Sequence, residues 1–148
     1  MFGSRQTGVN AYAKVGMETG VAAASPHKLI VMLFDGALVS ISCALMNMRS
    51  GNISEKGKAI SKAIMIIDSG LRAALDKKVG GEIAEGLDAL YEYMSGRLLT
   101  ANLKNDPAIL EEVQRLLIEL RDAWNQIGDT PAHPSAAAPT HMSKYASA

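Results

Sequence analysis

Four long stretches of the sequence repeat apolar residues at helical spacing, and short polar or glycine-rich breaks separate them. The first stretch follows Ser25-Pro26. This pair favours a helix start, because serine accepts hydrogen bonds from free N–H groups and proline suits the first helical position. The pattern predicts helices over residues 26–49, 55–78, 82–104 and 107–127. Strand-like alternation is absent from the sequence, so it predicts an all-α protein.

The breaks between these stretches have the chemistry of helix ends. Ser50-Gly51-Asn52 ends the first helix, Ser54 can cap the second, and Gly80-Gly81 separates the second from the third. Asp106-Pro107 repeats the capping pattern before the fourth helix, which Gly128 closes. Because connections this short favour antiparallel neighbours, the predicted architecture is an antiparallel four-helix bundle.

The two ends of the chain differ from the middle. Residues 1–25 have no sustained period and predict a loose N-terminal arm, with one short helix around Ala11–Met17. Residues 128–148 are rich in Pro, Ala and Ser and predict a flexible tail. The bundle domain is therefore predicted to span residues 26–127.

A helical wheel at about 100° per residue gives helices 2 to 4 one apolar stripe each. The stripe residues are Ile60, Ala63, Ile64, Ile67, Leu71, Ala74 and Leu75, then Ile83, Leu87, Leu90, Tyr91, Met94, Leu98 and Ala101, then Ile109, Val113, Leu116, Leu117, Leu120, Trp124 and Ile127. Apolar residues outside the stripes are Met65, Ile66, Tyr93, Leu99, Leu103 and Ile118.

Helix 1 is apolar nearly all round, so the chain has more apolar surface than a free bundle needs. One interpretation is that helix 1 is central and that the residues outside the stripes are scattered single positions. The other is a groove that takes a partner's amphipathic segment.

Composition excludes several functional classes. Fifteen Lys and Arg balance fifteen Asp and Glu, which argues against nucleic acid, since nucleic-acid-binding domains usually carry a basic patch. The single cysteine, Cys43, excludes an internal disulfide and a cysteine-based zinc site, and its apolar helix predicts a buried thiol.

Candidate catalytic chemistry is missing from the sequence. His27 falls in the first turn of helix 1, His133 and His141 fall in the predicted tail, and none has metal-ligand spacing. We therefore expect no catalytic residue, no cofactor and no metal site, and we interpret the chain as a protein that is not an enzyme.

Residues 29–48 are long and apolar enough to raise the possibility of a membrane span. Asp35 in this stretch would cost about 2.5–3.5 kcal/mol near the middle of a membrane. The pattern favours a buried or partner-covered helix without membrane insertion. A single-span membrane protein stays as an alternative.

An ordered set of short motifs resembles the flagellar secretion chaperone FliS family over residues 12 to 127. The matching motifs are Ala23-Ala24-Ser25-Pro26-His27-Lys28-Leu29-Ile30, Met32-Leu33-Phe34-Asp35-Gly36, Lys62-Ala63, Ile66-Ile67, Leu90-Tyr91-Glu92-Tyr93-Met94, Arg97-Leu98, Ala101-Asn102-Leu103-Lys104-Asn105-Asp106, Glu112-Val113 and Ala123-Trp124. Ala24-Ser25 and Phe34 stand where relatives often have Thr and Tyr.

The resemblance implies a cytoplasmic export chaperone. Such a protein binds the disordered C-terminal segment of flagellin, prevents its premature polymerisation and delivers it to the export gate of the flagellar type III system. The resemblance leaves open whether an anti-sigma factor or a co-chaperone also binds. The alternative is a helical-bundle adaptor or regulator that binds another amphipathic segment.

The resemblance also implies a set of flagellin-binding residues, although core packing is the competing role for each of them. The set is Tyr12, Val15, Leu29, Leu33, Phe34, Ile66, Ile67, Leu90, Tyr93, Met94, Leu98 and Leu103. Tyr12 and Val15 match a tyrosine-containing N-terminal segment of the family. Our hypothesis is that this arm covers an apolar pocket in the empty chaperone and moves when the client binds.

Overall fold

The computed structural model describes residues 25–128, and this part of the chain forms a helical bundle without a strand. Its elements are α1 (Pro26–Arg49), α2 (Ile53–Met65), a π-helical segment (Ile66–Arg72) that continues α2, α3 (Lys77–Lys104) and α4 (Pro107–Ile127). The predicted all-α four-helix class is confirmed. The N-terminal arm, the short helix predicted at Ala11–Met17 and the tail after Gly128 lie outside the described residues.

Side-chain pairs between α1 and α4 show that these neighbours run in opposite directions. Arg49 at the end of α1 lies 2.8 Å from Glu111 at the start of α4. Asp35, in the first half of α1, lies 3.2 Å from Arg121 in the last part of α4. Because α1 packs against α2 and α4, and α3 packs against the same two helices, α1 and α3 occupy opposite corners of the bundle.

The core lies where the apolar stripes of the four helices meet. On α3, Met94 and Leu98 are fully buried whereas Leu99 and Leu103 are exposed, as the wheel predicted. The largest fully buried side chains are Ile41, Ile60, Ile67, Leu71, Met94, Leu98, Leu110, Val113 and Leu117. Leu110 was not assigned to the predicted stripe of α4, although it is 0% exposed.

The π-helical segment changes which residues of the second helix face the core. The wheel placed Ile66 outside the stripe and Ala74 within it, but Ile66 is buried and Ala74 is exposed. A π-helical turn takes more residues than an α-helical turn because its hydrogen bonds span five residues. A wheel with a constant angle therefore loses the register after Met65, where the segment begins.

Side-chain caps fix the helix starts. Ser25 accepts from the Lys28 N–H and Asp106 accepts from the Ala108 N–H, and a proline follows each cap as predicted. The predicted cap of α2 was wrong by two residues. Asn52 caps this helix, and its side chain accepts from the Glu55 N–H at 3.3 Å.

The start of α3 also differs from the prediction. The second helix ends at Arg72, and Asp76 caps a new helix by accepting from two backbone N–H groups. The predicted break is real but lies inside this helix, where Gly81 has φ 56° and ψ −129°. Residues with side chains rarely adopt this conformation, so a glycine is needed where the chain turns.

α1 passes the length and hydropathy test for a membrane span, with a mean hydropathy of 2.2 over its most apolar window. Length and composition are weak evidence here, because the core helix of a soluble protein passes the same test. Nearly half of that window, 44%, is buried inside the bundle, where Phe34, Ala37, Ile41 and Ala44 pack in the core.

Candidate functional site

Exposed and partly buried apolar residues of α2 and α3 flank the seam between these two helices. We name it the α2–α3 groove and define it by Ile53 and Ile64 on α2 and Leu99 and Leu103 on α3. Leu103 is 86% exposed and Leu99 is 55% exposed. Leucines that follow one another along a helix flank differ from scattered apolar residues, because together they form a surface that a partner can bury.

Helical spacing places Leu99 and Leu103 one turn apart, next to the flank of α3 that faces the second helix. Leu99 follows Ser95 by one turn, and the Ser95 hydroxyl donates to Asp68 at 2.9 Å. Leu103 directly follows Asn102, whose carbonyl accepts from the Lys56 ammonium at 3.1 Å. The contacts of this flank thus reach both α2 and the π-helical segment.

Near one end of the α2–α3 groove, a buried lysine links the two helices. Lys56 is only 3% exposed. Its Nζ donates to the Asn102 carbonyl at 3.1 Å and to Asn105 Oδ1 at 2.9 Å. These bonds join the first turns of α2 to the end of α3.

Beyond the other end, a cluster of charged side chains lies around Arg72. Its Nε donates to Asp88 at 2.6 Å, and Glu92 lies 3.4 Å from the same guanidinium. The hydrogen bond from Arg72 lowers the pKa of Asp88, and Lys77 at 3.3 Å lowers it further. The bond to Asp88 likewise raises the pKa of Arg72. The cluster joins the π-helical segment to the first half of α3.

A second surface lies over α1 and α4. It contains a depression of about 610 Å³ with Leu45 and Met46 in its lining, and Val39 and Ile118 are exposed on the same two helices. The full lining is Ser42, Leu45, Met46, Arg49, Ser50, Glu111 and Gln114. Polar pairs cross this seam, among them Gln114 with Ser42 and Arg49 with Glu111.

Between α3 and α4, three side chains form a hydrogen-bonded set. The Tyr93 hydroxyl donates to Glu112 at 2.5 Å, and Arg97 Nε donates to the other carboxylate oxygen at 2.9 Å. The bond from Tyr93 and then that from Arg97 lower the pKa of Glu112, and the same carboxylate raises the pKa of Tyr93. Tyr93 is held at the surface, with 47% of its area exposed.

His27 and Trp124 join the first turn of α1 to the last turn of α4. Their rings stack with centroids 5.2 Å apart and an interplanar angle of 8°. The Trp124 indole donates to the His27 carbonyl at 3.1 Å, and His27 Nε2 donates to the Trp124 carbonyl at 2.6 Å. The described chain therefore starts and ends at the same end of the bundle.

The structure distributes the predicted flagellin-binding residues over three environments. Leu29, Tyr93 and Leu103 are exposed, and Leu33 and Leu90 are partly buried against the core. Five more are buried in the core: Phe34, Ile66, Ile67, Met94 and Leu98. Tyr12 and Val15 lie outside the described residues. A role in client binding stays a prediction for all of them.

Several exposed apolar residues are absent from the predicted set. Leu99 and Met65 were recognised as lying off the stripes, which was the pattern that could have selected them. Val39 and Met46 could not be selected in this way, because α1 is apolar nearly all round and has no separate stripe. Cys43 corrects the prediction of a buried thiol: it lies on the solvent side of α1 and is exposed.

Within residues 25–128, no group of three His, Cys, Asp or Glu side chains could hold a metal ion. The charged side chains described above pair with one another across helix seams. Exposed apolar residues on the helix flanks, such as Val39, Leu99 and Leu103, are open to a partner.

A helical bundle with exposed apolar residues along its helix flanks offers the kind of surface that a protein partner can bury. The profile of the family described as "Flagellar protein FliS" matches residues 8–131. The chain belongs to the FliS family. It is 52% identical over 121 residues to the flagellar secretion chaperone FliS of Salmonella typhimurium, covering 82% of this chain and 90% of the relative.

Two further relatives agree with this assignment. The flagellar secretion chaperone FliS of Escherichia coli is 45% identical over 119 residues, covering 80% of this chain and 88% of the relative. The flagellar secretion chaperone FliSB of Pseudomonas aeruginosa is 47% identical over 116 residues, covering 78% of this chain and 91% of the relative. The family is a chaperone family, which is not a class of enzymes.

Proposed function

We propose that this protein is a cytoplasmic export chaperone for flagellin. It binds the disordered C-terminal segment of flagellin in apolar grooves, prevents premature polymerisation and delivers the subunit to the export gate of the flagellar type III system. The names of the relatives support a role in flagellar secretion. Flagellin as the client comes from the resemblance described above.

The α2–α3 groove is the observation that carries this proposal. Leu99 and Leu103 on α3 and Ile53 on α2 are exposed, and Ile64 on α2 is partly buried, so an amphipathic helix could lay its apolar face along the seam. Each client side chain that becomes fully buried there contributes about 1.5–3 kcal/mol before ordering costs. A few such anchors suffice for binding that still permits release.

The chemistry of the client fits a surface of this kind. The terminal segments of flagellin must be apolar to pack in the filament, so in the cytoplasm they would associate with one another. A disordered segment that folds on binding loses conformational entropy, which moderates its affinity. The chaperone itself then needs no nucleotide or catalytic residue to release it.

Isothermal titration calorimetry with the C-terminal segment of flagellin from the same organism tests the proposal. We expect saturable binding with a negative heat-capacity change, the mark of apolar burial. Leu103→Ser should weaken binding by about tenfold or more, because a buried leucine is worth more than the 1.4 kcal/mol that a tenfold change requires.

Val79→Ser is the matched control. Val79 is 85% exposed on the same helix but lies in its first turn, away from the α2–α3 groove. If wild type binds and both variants bind equally well, the groove is not the client site. If the folded wild type does not bind, flagellin is not the client and the adaptor alternative takes its place.

A further inference from the structure

Lys56 is a buried cation whose two hydrogen-bond acceptors are both neutral. Its ammonium bonds to the Asn102 carbonyl and to the Asn105 side chain. A buried charge is costly unless its hydrogen bonds are satisfied. At a position that merely filled the core, an apolar side chain would avoid that cost, so this lysine calls for a specific explanation.

The acceptors belong to the end of α3. Asn102 lies in its last turn, where backbone carbonyls lack partners within the helix and the helix dipole attracts cations. Asn105 is left-handed, with φ 54°, and its N–H returns to the Ala101 carbonyl. Its Oδ1 then meets the lysine at 2.9 Å. Lys56 therefore caps the end of α3 from the neighbouring helix.

This cap lies at one end of the α2–α3 groove. Ile53 is one turn before Lys56 on α2, and Leu103 directly follows Asn102 on α3. Gly57 leaves space on the same side, because a Cβ there would lie 4.0 Å from Asn102 Oδ1. The hydrogen bonds of Lys56 thus connect α2 and α3 next to Ile53 and Leu103.

The opposite end is also bridged by polar contacts. Ser95 donates to Asp68 at 2.9 Å, and Arg72 bonds to Asp88 at 2.6 Å. Ile64 on α2 and Leu99 on α3 flank the part of the α2–α3 groove that lies between these contacts and those of Lys56. Hydrogen bonds have narrow distance limits, so bridges at both ends hold the helices at a defined separation along the apolar strip.

We propose that Lys56 is a positioning residue that fixes the spacing of α2 and α3 along the α2–α3 groove before a client binds. This inference rests on the proposed function, because it names the residue that sets the geometry of the same site. A preformed groove avoids part of the ordering cost of association. An apolar residue at position 56 would remove these hydrogen bonds and leave the end of α3 free to shift relative to α2.

The binding test compares Lys56→Met with matched controls in calorimetric titrations of the flagellin C-terminal segment. Lys58→Met makes the same substitution two residues away, at a lysine with 74% of its side chain exposed. Ile41→Val weakens the core on α1, away from the groove. We expect Lys56→Met to lower affinity by about tenfold, whereas both controls bind like the wild type.

Lys56→Arg separates position from general stability, because arginine retains a cation with several donors. We expect it to restore most of the affinity that Lys56→Met loses. If Lys56→Met binds like Lys58→Met, or if Ile41→Val loses as much affinity at equal stability, the inference is overturned.

A second measurement does not depend on the client. Spin labels at Ser54→Cys and Lys104→Cys, in a Cys43→Ser background, report the distance between the helix ends on either side of the cap. We expect Lys56→Met to shift or broaden this distance distribution in the free chain. An unchanged distribution overturns the inference even if flagellin proves to be the wrong client, whereas a wild type that fails to bind contradicts only the proposed function.

Discussion

At the scale of single residues, His27 and Trp124 join the two ends of the described chain. His27→Ala removes the stacked ring and the bond from Nε2 to the Trp124 carbonyl. We expect a loss of about 1–2 kcal/mol in the free energy of unfolding. Urea denaturation followed by the fluorescence of Trp124, the single tryptophan of the chain, measures it.

The control for this prediction is His27→Phe, which keeps an aromatic ring over Trp124 but cannot donate a hydrogen bond. Its loss of stability should lie between those of the wild type and His27→Ala. If His27→Ala unfolds at the same urea concentration as the wild type, the contact contributes nothing to stability.

Glu112 gives a prediction for the dependence of stability on pH. Hydrogen bonds from Tyr93 and Arg97 lower its pKa in the folded chain, so the folded state takes up a proton there less readily than the unfolded state. Its contribution is complete above the unfolded value of about 4.3 and is lost as the pH falls through the folded value.

Glu112→Gln should therefore be less stable than the wild type at neutral pH, and the difference should shrink in acid. Urea unfolding of both proteins at neutral pH and near pH 3 measures this difference on either side of the transition. A difference that stays constant with pH would show that charge on Glu112 does not contribute.

The sequence predicts residue-level features well when their cause is local. Ser25 and Asp106 were recognised as caps because a cap and its acceptor sites lie within one turn of chain. The burial of Lys56 and the exposure of Cys43 were not foreseen. Both depend on which neighbouring helix covers a given face, and that is decided by packing between distant segments.

At the scale of elements, Gly70 in the π-helical segment lies against Leu33 of α1. A Cβ at this position would lie 3.0 Å from Leu33 Cδ2, tighter than ordinary packing. At Gly86 on α3, a Cβ would meet nothing within 4 Å. Alanine in an open helical position stabilises by about 0.5–1 kcal/mol relative to glycine, so we expect this gain for Gly86→Ala and a loss of stability for Gly70→Ala.

Thermal and urea unfolding of the two alanine variants compares these positions directly. A double-mutant cycle with Leu33→Ala tests the cause, because removing the leucine side chain should relieve the crowding at Gly70→Ala. Equal gains for both glycine variants would show that α1 and the π-helical segment can separate without cost.

Periodicity predicted the presence of every helix within the described residues, but it did not predict the change of helix type. The pattern after Met65 could not reveal a π-helical turn, because a single wider turn only shifts the register of Ile66 and the residues that follow. The same limit affected the start of α3, since Gly80-Gly81 predicted a break correctly without revealing the turn of helix before it.

At the scale of the whole molecule, the excess of apolar residues was the feature that pointed to a binding protein. The sequence located this excess on helix 1 and at positions outside the stripes of the other three helices, but it could not separate surface from core. Leu103 is almost fully exposed, whereas Met94 and Leu98 on the same helix are fully buried. Only the relative placement of α2 and α3 shows which apolar residues border an open seam.

The final prediction concerns the N-terminal arm, residues 1–25. Ser25, the first described residue, lies at the end of the bundle where His27 contacts Trp124. If the arm covers an apolar pocket of the empty chaperone, a chain lacking residues 1–20 should bind more of a hydrophobic dye and show a changed affinity for flagellin. Removing residues 129–148 instead is the control and should leave dye binding as it is. Unchanged dye binding and affinity after removal of the arm would contradict the hypothesis, because a cover that competes with the client must alter both when it is lost.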